Sequence, residues 1–326
     1  MNRNASASNF GWHFQINAAI VLMLENIEFA DAVRVEGATQ DIELYLDNGK
    51  RIYSQAKSIV RIDDYSNVIR NLNNSLKSLS DADSNEVEKL IYVTNTPNPF
   101  NNIETMSAFY GYSRKSFDSL PDICKNRINE ILVSLNINAL EKSKLFIFVI
   151  PFHSDDLNER YKVVKQIVQE FLTELNSNLS GHTRELLNIW QNDFFENASI
   201  IDNSKIIKKS ELIWPIIVIS SQLRSDDDII DELNESDQMD LERQYNDFID
   251  NTVDRFEFAT KVLSDYQSFQ PENTTGKEKQ RLFVNEKWTN YIEDFGTENE
   301  NLIKVVINKM LKQKNIINSI KTKVNL

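Results

Sequence analysis

The sequence predicts an α/β fold: a core of the order helix, three strands, helix, strand, followed by a mainly helical extension. Three observations carry this expectation. Two alternating runs flank Asp47-Asn48-Gly49, and Asn-Gly between such runs is a strong hairpin signal. Apolar residues recur at helical spacing over 64–79, between that hairpin and an apolar strand at 88–95. From Leu157 onward the pattern is helical to the end of the chain.

In chain order, Gly11 to Asn26 reads as a buried helix, with Trp12, Phe14, Ala18, Ala19, Val21, Leu22, Met23 and Leu24 as its core and Ser8 or Asn9 as its cap. Ala32 to Glu36 is a short strand ending at Gly37. Gln40 to Leu46 and Arg51 to Lys57 are the arms of the hairpin. Asp64 to Leu79 is a helix with Val68, Ile69, Leu72, Leu76 and Leu79 on one face. Glu88 to Asn95 is a buried strand stopped by Thr96-Pro97-Asn98-Pro99. Asp122 to Leu135 is a helix and Lys144 to Phe152 a further strand. Trp214-Pro215 interrupts an apolar stretch, Pro271 to Gly276 is a loop, and Ile303, Val306, Ile307, Met310 and Leu311 mark a late apolar helix face.

Composition bounds the function. The 326 residues suffice for two domains, or one core with a large extension, and 41% hydrophobic content with 18 Phe supplies the core. The single cysteine, Cys124, excludes an internal disulfide, fits a reducing compartment and reads as a small buried hydrophobe. No basic segment precedes an apolar run at the N-terminus. Ala18 to Leu24 is far shorter than the ~20 residues a membrane span needs. A soluble cytoplasmic protein with no membrane partner is expected.

The net charge of −13 argues against a surface that binds nucleic acid everywhere, while leaving room for a local basic site. Residues 225–257 are strongly acidic, whereas 301–326 hold six lysines and no acid; each reads as a solvated helix face or a docking surface. Gly276-Lys277 lacks the glycine five residues upstream that a phosphate loop requires, so no ATPase is expected. His13, His153 and His182 are dispersed and have no metal-ligand spacing.

The hairpin carries the chemistry. With a two-residue loop Asp41 faces Ala56; with a three-residue loop, Gly49 in a left-handed bulge, Asp41 faces Gln55. The second register gathers Asp41, Gln55 and Lys57 on one face and Ile42, Leu44, Leu46, Ile52 and Ala56 on the other, so it is preferred. Such a set suits a metal-dependent phosphodiesterase. Mg²⁺ takes oxygen ligands and needs only one or two carboxylates. Asp41 is the natural ligand, Gln55 offers an amide oxygen, the Ala56 carbonyl offers another, and Lys57 can orient water or stabilise phosphate charge. Tyr45 and Tyr53 would share that face, and Arg51 and Arg61 could meet a nucleic-acid backbone. The plain alternative is a solvated polar face with an Asp41–Lys57 ion pair of little energetic value.

The element order, Asp41 and then Gln55-Ala56-Lys57 resemble the PD-(D/E)xK, or restriction-endonuclease-like, nuclease superfamily. The start Gly11-Trp12-His13-Phe14-Gln15, the acidic Glu36 and Asp41, and the strand end Val93-Thr94-Asn95 sharpen the match. They resemble the Gln-x-Lys double-strand DNA endonuclease domain of bacterial anti-phage systems. That domain occurs in CBASS effectors, in Lamassu complexes and beside HerA-type ATPases.

The resemblance spans about residues 10–96. It implies a restriction-endonuclease-like αβββαβ nuclease domain over 1–155 and a helical oligomerisation or partner-docking domain over 156–326. It implies that Asp41, Gln55 and Lys57 are catalytic or metal-binding, that Gln15 points into the site and that Glu36 supports it. Gln55 departs from the Glu of many superfamily members. Mg²⁺ or Mn²⁺ is the implied cofactor. Double-stranded DNA is the implied substrate, with cleavage silent until oligomerisation or a partner triggers it. A homo-oligomer is expected, with an SMC-like ATPase as partner and a HerA-like ATPase as second choice. A catalytically weak binding subunit and an RNA-cleaving enzyme are the alternatives.

Overall fold

The computed structural model describes residues 5–82, 84–202, 204–220, 239–245, 255–272, 274, 276–295 and 299–326. Seven strands form one mixed sheet: β1 (Ala30–Val35), β2 (Ile42–Leu46), β3 (Arg51–Lys57), β4 (Val87–Thr94), β5 (Ser113–Ser116), β6 (Leu145–Val149) and β7 (Ile207–Lys208). Their spatial order is β5-β6-β4-β3-β2-β1-β7. β1, β2 and β3 are antiparallel neighbours, whereas β3–β4 and β4–β6 are parallel. β3 is therefore the strand at which the sheet changes from antiparallel to parallel.

Helix α1 (Ala5–Glu25) precedes β1, and α2 (Val68–Ser80) connects β3 to β4. From Phe14 to Leu24 every residue of α1 is buried, as expected of a helix lying between two layers. α2 is amphipathic and buries Val68, Leu72, Ser75, Leu76 and Leu79. These leucines join Tyr53, Leu90, Tyr92, Cys124 and Ile128 in one apolar cluster, in which Cys124 is a small buried hydrophobe. Alternation leaves Ile42, Leu44, Ile52, Ser54 and Ala56 for the other side of the sheet, where α1 packs.

Several elements differ from expectation. α1 reaches back to Ala5, so Ser8 and Asn9 lie within it and do not cap it; small side chains continue the helix without a visible apolar period. Trp12 is 37% exposed, not core. α2 starts at Val68, because Asp64 accepts from the Ser66 N–H and hydroxyl and holds the preceding residues in a turn. β6 ends at Val149, and Phe152 instead packs its ring against Phe10, Phe14 and Tyr161. β5 and β7 were not expected; both are short, polar edge strands.

The described chain separates into two compact units, one of 1–174 with 183–209, the other of 175–182 with 210–326. This division falls later than the boundary expected near 155. The reason lies in α6 (Thr183–Ser199), which packs on α1 and β1. Gln191 donates to Asn17 Oδ1 at 2.8 Å. Arg34 of β1 is 1% exposed and donates to the carbonyls of Asn197, Ile200 and Lys205 at 2.5–2.8 Å. Asn197 in turn accepts the Val35 N–H at 3.0 Å. Three helices precede α6 after α2: α3 (Asp122–Ser134), α4 (Leu157–Arg160) and α5 (Lys162–Leu175).

The second unit is helical. Pro215 lies inside α7 (Lys209–Ser220) and does not interrupt it. Leu212, Ile213, Trp214, Ile216 and Ile217 are all buried, and at roughly 1.5–3 kcal/mol each their burial outweighs the ~3 kcal/mol a helical proline costs. Helix Glu300–Lys312 buries Ile303, Val306, Ile307, Met310 and Leu311 as expected. The acidic stretch 225–257 lies largely outside the described residues. No described helix is long and apolar enough to cross a membrane.

Candidate functional site

The hairpin adopts the three-residue loop. Ile42 pairs with Ser54, Glu43 with Tyr53, Leu44 with Ile52 and Tyr45 with Arg51, which places Asp41 opposite Gln55. Gly49 has φ of +77°, a left-handed conformation that glycine adopts without penalty, and its N–H donates to the Leu46 carbonyl at 3.0 Å.

The polar row is not an open face, however. Tyr53 and Gln55 of β3 are 3% and 5% exposed, because α2 packs on this strand, and Glu43 is 2% exposed beside the turn at Gly37. Tyr53 belongs to the core and directs its hydroxyl to Glu86, while Tyr45 stacks under Arg51. Arg61 pairs with exposed Asp63. Tyr45 and Arg51, at one end of the row, are half-buried, as are Asp41 and Lys57 at the other.

There the expected residues meet in part. Lys57 Nζ donates to Asp41 Oδ2 at 2.7 Å, and the Ala56 N–H donates to the same oxygen at 3.0 Å. Ala56 thus offers Asp41 its amide, where its carbonyl was expected to serve. From α1, Gln15 Nε2 reaches both Glu36 Oε1 at 2.7 Å and the Asp41 carbonyl at 3.0 Å. Gln15 therefore ties Glu36 to the Asp41 backbone. Glu36 has φ of +54°, and its N–H donates to the Asp41 carbonyl at 2.9 Å. A left-handed non-glycine residue costs on the order of 1–2 kcal/mol and persists because its surroundings hold it.

Those surroundings are a tight turn. Gly37 N–H donates to the Gln40 carbonyl at 3.0 Å, and a Cβ at Gly37 would collide with the Glu43 carboxylate. Glu43 is fixed there by the Thr39 N–H and hydroxyl at 3.2 and 3.1 Å. It is a structural carboxylate that shapes the turn.

Gln55 is held from the other side. Its Nε2 donates to Gln40 Oε1 at 3.0 Å, and Gln40 Nε2 donates to the Ser78 carbonyl of α2 at 2.7 Å. Beyond Lys57, Asn95 at the end of β4 accepts the Ile59 N–H and donates to the Ile59 and Phe152 carbonyls, each at 2.8 Å. Sequence reasoning missed Gln40 altogether, and read Asn95 only as part of a strand end. A buried glutamine beside a strand end gives no signal of its own until its partners are known.

Three oxygens here have no hydrogen-bond donor among the described residues: Asp41 Oδ1, Glu36 Oε2 and Gln55 Oε1. Two carboxylates and an amide oxygen suit Mg²⁺ or Mn²⁺, which prefer oxygen and need few carboxylates. No described group of three or more His, Cys, Asp or Glu side chains could hold a metal, so a cation at this site depends on the amide oxygen as well. Elsewhere on α1, His13 has its pKa lowered by burial first and Arg160 second, which favours the neutral imidazole.

No family model matches the chain, and no curated protein matches it. Among solved structures, the Acinetobacter baumannii Cap4 SAVED/CARF-domain containing receptor with the cyclic trinucleotide 2'3'3'-cAAA is similar at a TM-score of 0.39 and 15% identity. That alignment covers 78% of this chain and 64% of the receptor. The same receptor with 3'3'3'-cAAA gives the same values. A further structure of the receptor gives 0.39 and 14% identity over 92% of this chain and 93% of that one. The chain spans 64% of the length of the first two. Scores this low leave the function to be read from the residues themselves.

Proposed function

We propose that the first unit is a restriction-endonuclease-like nuclease core and that the chain is a divalent-cation-dependent DNA endonuclease. The observation that supports this most is the meeting of Asp41 and Lys57 at 2.7 Å, with the second Asp41 oxygen left without a donor. Asp41 has one oxygen engaged by Lys57 and one open, so it can hold a cation and the ammonium together. Glu36 and Gln55 supply the remaining oxygens. A cation held there would polarise the phosphate and lower the pKa of an attacking water. Lys57 places a positive charge where the phosphate gains negative charge, and Gln15 keeps Glu36 and Asp41 in register.

A single such site cuts one strand, so double-strand cleavage calls for two sites related by symmetry or by a partner. The resemblance to anti-phage nucleases supports a search for a defence complex, with an SMC-like ATPase as the first partner to seek and a HerA-like ATPase as the second.

The test is plasmid cleavage with Mg²⁺ or Mn²⁺, at high protein concentration and with the candidate partner. Wild type is expected to linearise the plasmid, and Asp41→Ala and Lys57→Ala to leave it intact. Intact DNA under every condition, or equal cutting by the variants, overturns the nuclease reading in favour of a binding subunit. Preference for an RNA substrate in parallel reactions overturns the DNA assignment alone.

A further inference from the structure

Gln55 is the residue at which this site departs from a carboxylate, and its surroundings account for the substitution. A glutamine amide can present either its oxygen or its NH₂, and only the oxygen serves a cation. The choice is fixed here by a chain of hydrogen bonds that starts at a group with one polarity. The Ser78 carbonyl lies in the last turn of α2 and can only accept. Gln40 must therefore turn its Nε2 toward it, at 2.7 Å.

Gln40 Oε1 then faces back. It accepts from Gln55 Nε2 at 3.0 Å and from the Ser78 hydroxyl at 3.3 Å. This engages the Gln55 NH₂ group and leaves Oε1 as the atom without a donor. Gln40 and Gln55 are 3% and 5% exposed, so little water competes for these bonds.

We infer that Gln40 is a positioning residue: it sets the polarity of Gln55 so that the amide oxygen is the atom offered to a divalent cation. This rests on the metal-site reading above. A Glu at position 55 would set a carboxylate oxygen against Gln40 Oε1. Relief would require Gln40 to flip and turn its own oxygen onto the Ser78 carbonyl. The local network thus selects Gln over Glu in this chain.

The experiment titrates Mn²⁺ alone into the full chain and reads binding by electron paramagnetic resonance, with thermal unfolding as a check of fold. Gln40→Met keeps length and removes polarity. It is expected to weaken Mn²⁺ binding about tenfold, the usual scale for a group that orients a ligand. In a Gln55→Ala background the same change is expected to add nothing, because Gln40 acts only through Gln55. Gln55→Glu is expected to weaken binding despite its added charge.

Unchanged Mn²⁺ affinity in Gln40→Met, with binding still lost in Asp41→Ala, overturns the role of Gln40 and leaves the metal site standing. Equal weakening in both backgrounds assigns Gln40 to fold stability and overturns the inference. So does a gain in affinity on Gln55→Glu. Absence of saturable Mn²⁺ binding by wild type overturns the metal site and this inference together.

Discussion

The second half of helix α1, from Gln15 at its middle to Glu25 at its C-terminus, carries opposite polar chemistry at its two ends. Gln15 and Glu25 are ten residues apart, about 15 Å along the axis. At the Gln15 end acceptors are in surplus: Glu36 receives the Gln15 amide, Asp41 receives the Lys57 ammonium, and oxygens remain without donors. At the Glu25 end donors are in surplus. Tyr112 and Arg114 both donate to Glu25 Oε1, Arg114 at 2.7 Å, and Lys89 adds a second positive charge nearby. Burial still outweighs these partners and raises the Glu25 pKa. It raises the Tyr112 phenol too, with Glu25 as the second cause. The donor-rich end is neutralised from within and braces the segment around β5 against α1. The acceptor-rich end has capacity left for a cation.

Four substitutions would break or sharpen this contrast. The largest effect belongs to Lys57→Ala: plasmid cleavage should fall about 10³-fold, or ~4 kcal/mol of transition-state stabilisation. Its urea midpoint should report a loss of less than about 1 kcal/mol, since the pair is partly solvated. A large stability loss with cleavage retained would mean that the site end is merely structural.

Gly37→Ala comes next. The added methyl meets a carboxylate that Thr39 holds in place, and overpacking of this kind costs about 2 kcal/mol. A urea midpoint equal to wild type would show that Glu43 yields freely.

Tyr112→Phe deletes one donor at the other end and should cost about 1 kcal/mol with cleavage unchanged. Loss of cleavage in this variant would contradict the division of labour.

The smallest effect is a pH dependence. Because the folded pKa of Glu25 is raised, its contribution to stability is present below the ordinary value of 4.5 and is lost as pH rises through the raised value. Glu25→Gln lacks that titration. Its melting temperature relative to wild type should therefore rise across the same interval, and a gap that is flat with pH would contradict the assignment.

The hairpin was legible because its information is local. A turn of fixed chemistry and period-two alternation together determine one register, and that register is observed from Ile42–Ser54 to Tyr45–Arg51. The meeting of Asp41 with Lys57 follows from it. The burial of Gln55 was not legible, because its partners are fixed from outside the hairpin: Gln40 and, through it, Ser78 of α2. Strands β5 and β7 escaped for a related reason. Ser113-Arg-Lys-Ser116 and Ile207-Lys208 join the sheet through backbone pairing, which leaves no mark on side-chain pattern. The start of α1 was hidden by Ala and Ser, which extend a helix without apolar period.

The buried guanidinium of Arg34 sets an order of events in biosynthesis. Its acceptors, the carbonyls of Asn197, Ile200 and Lys205, lie 163 to 171 residues downstream. At ~5–20 residues per second, β1 waits roughly 10–30 s on the ribosome before they emerge. During that interval a positive charge destined for the interior has no acceptors, and the sheet edge that β7 will cover stays open. The first unit therefore cannot close as a nascent domain from its first 155 residues. A fragment ending there would carry Asp41, Gln55 and Lys57 on a scaffold whose outer strand is unanchored, and it should aggregate where the whole chain folds.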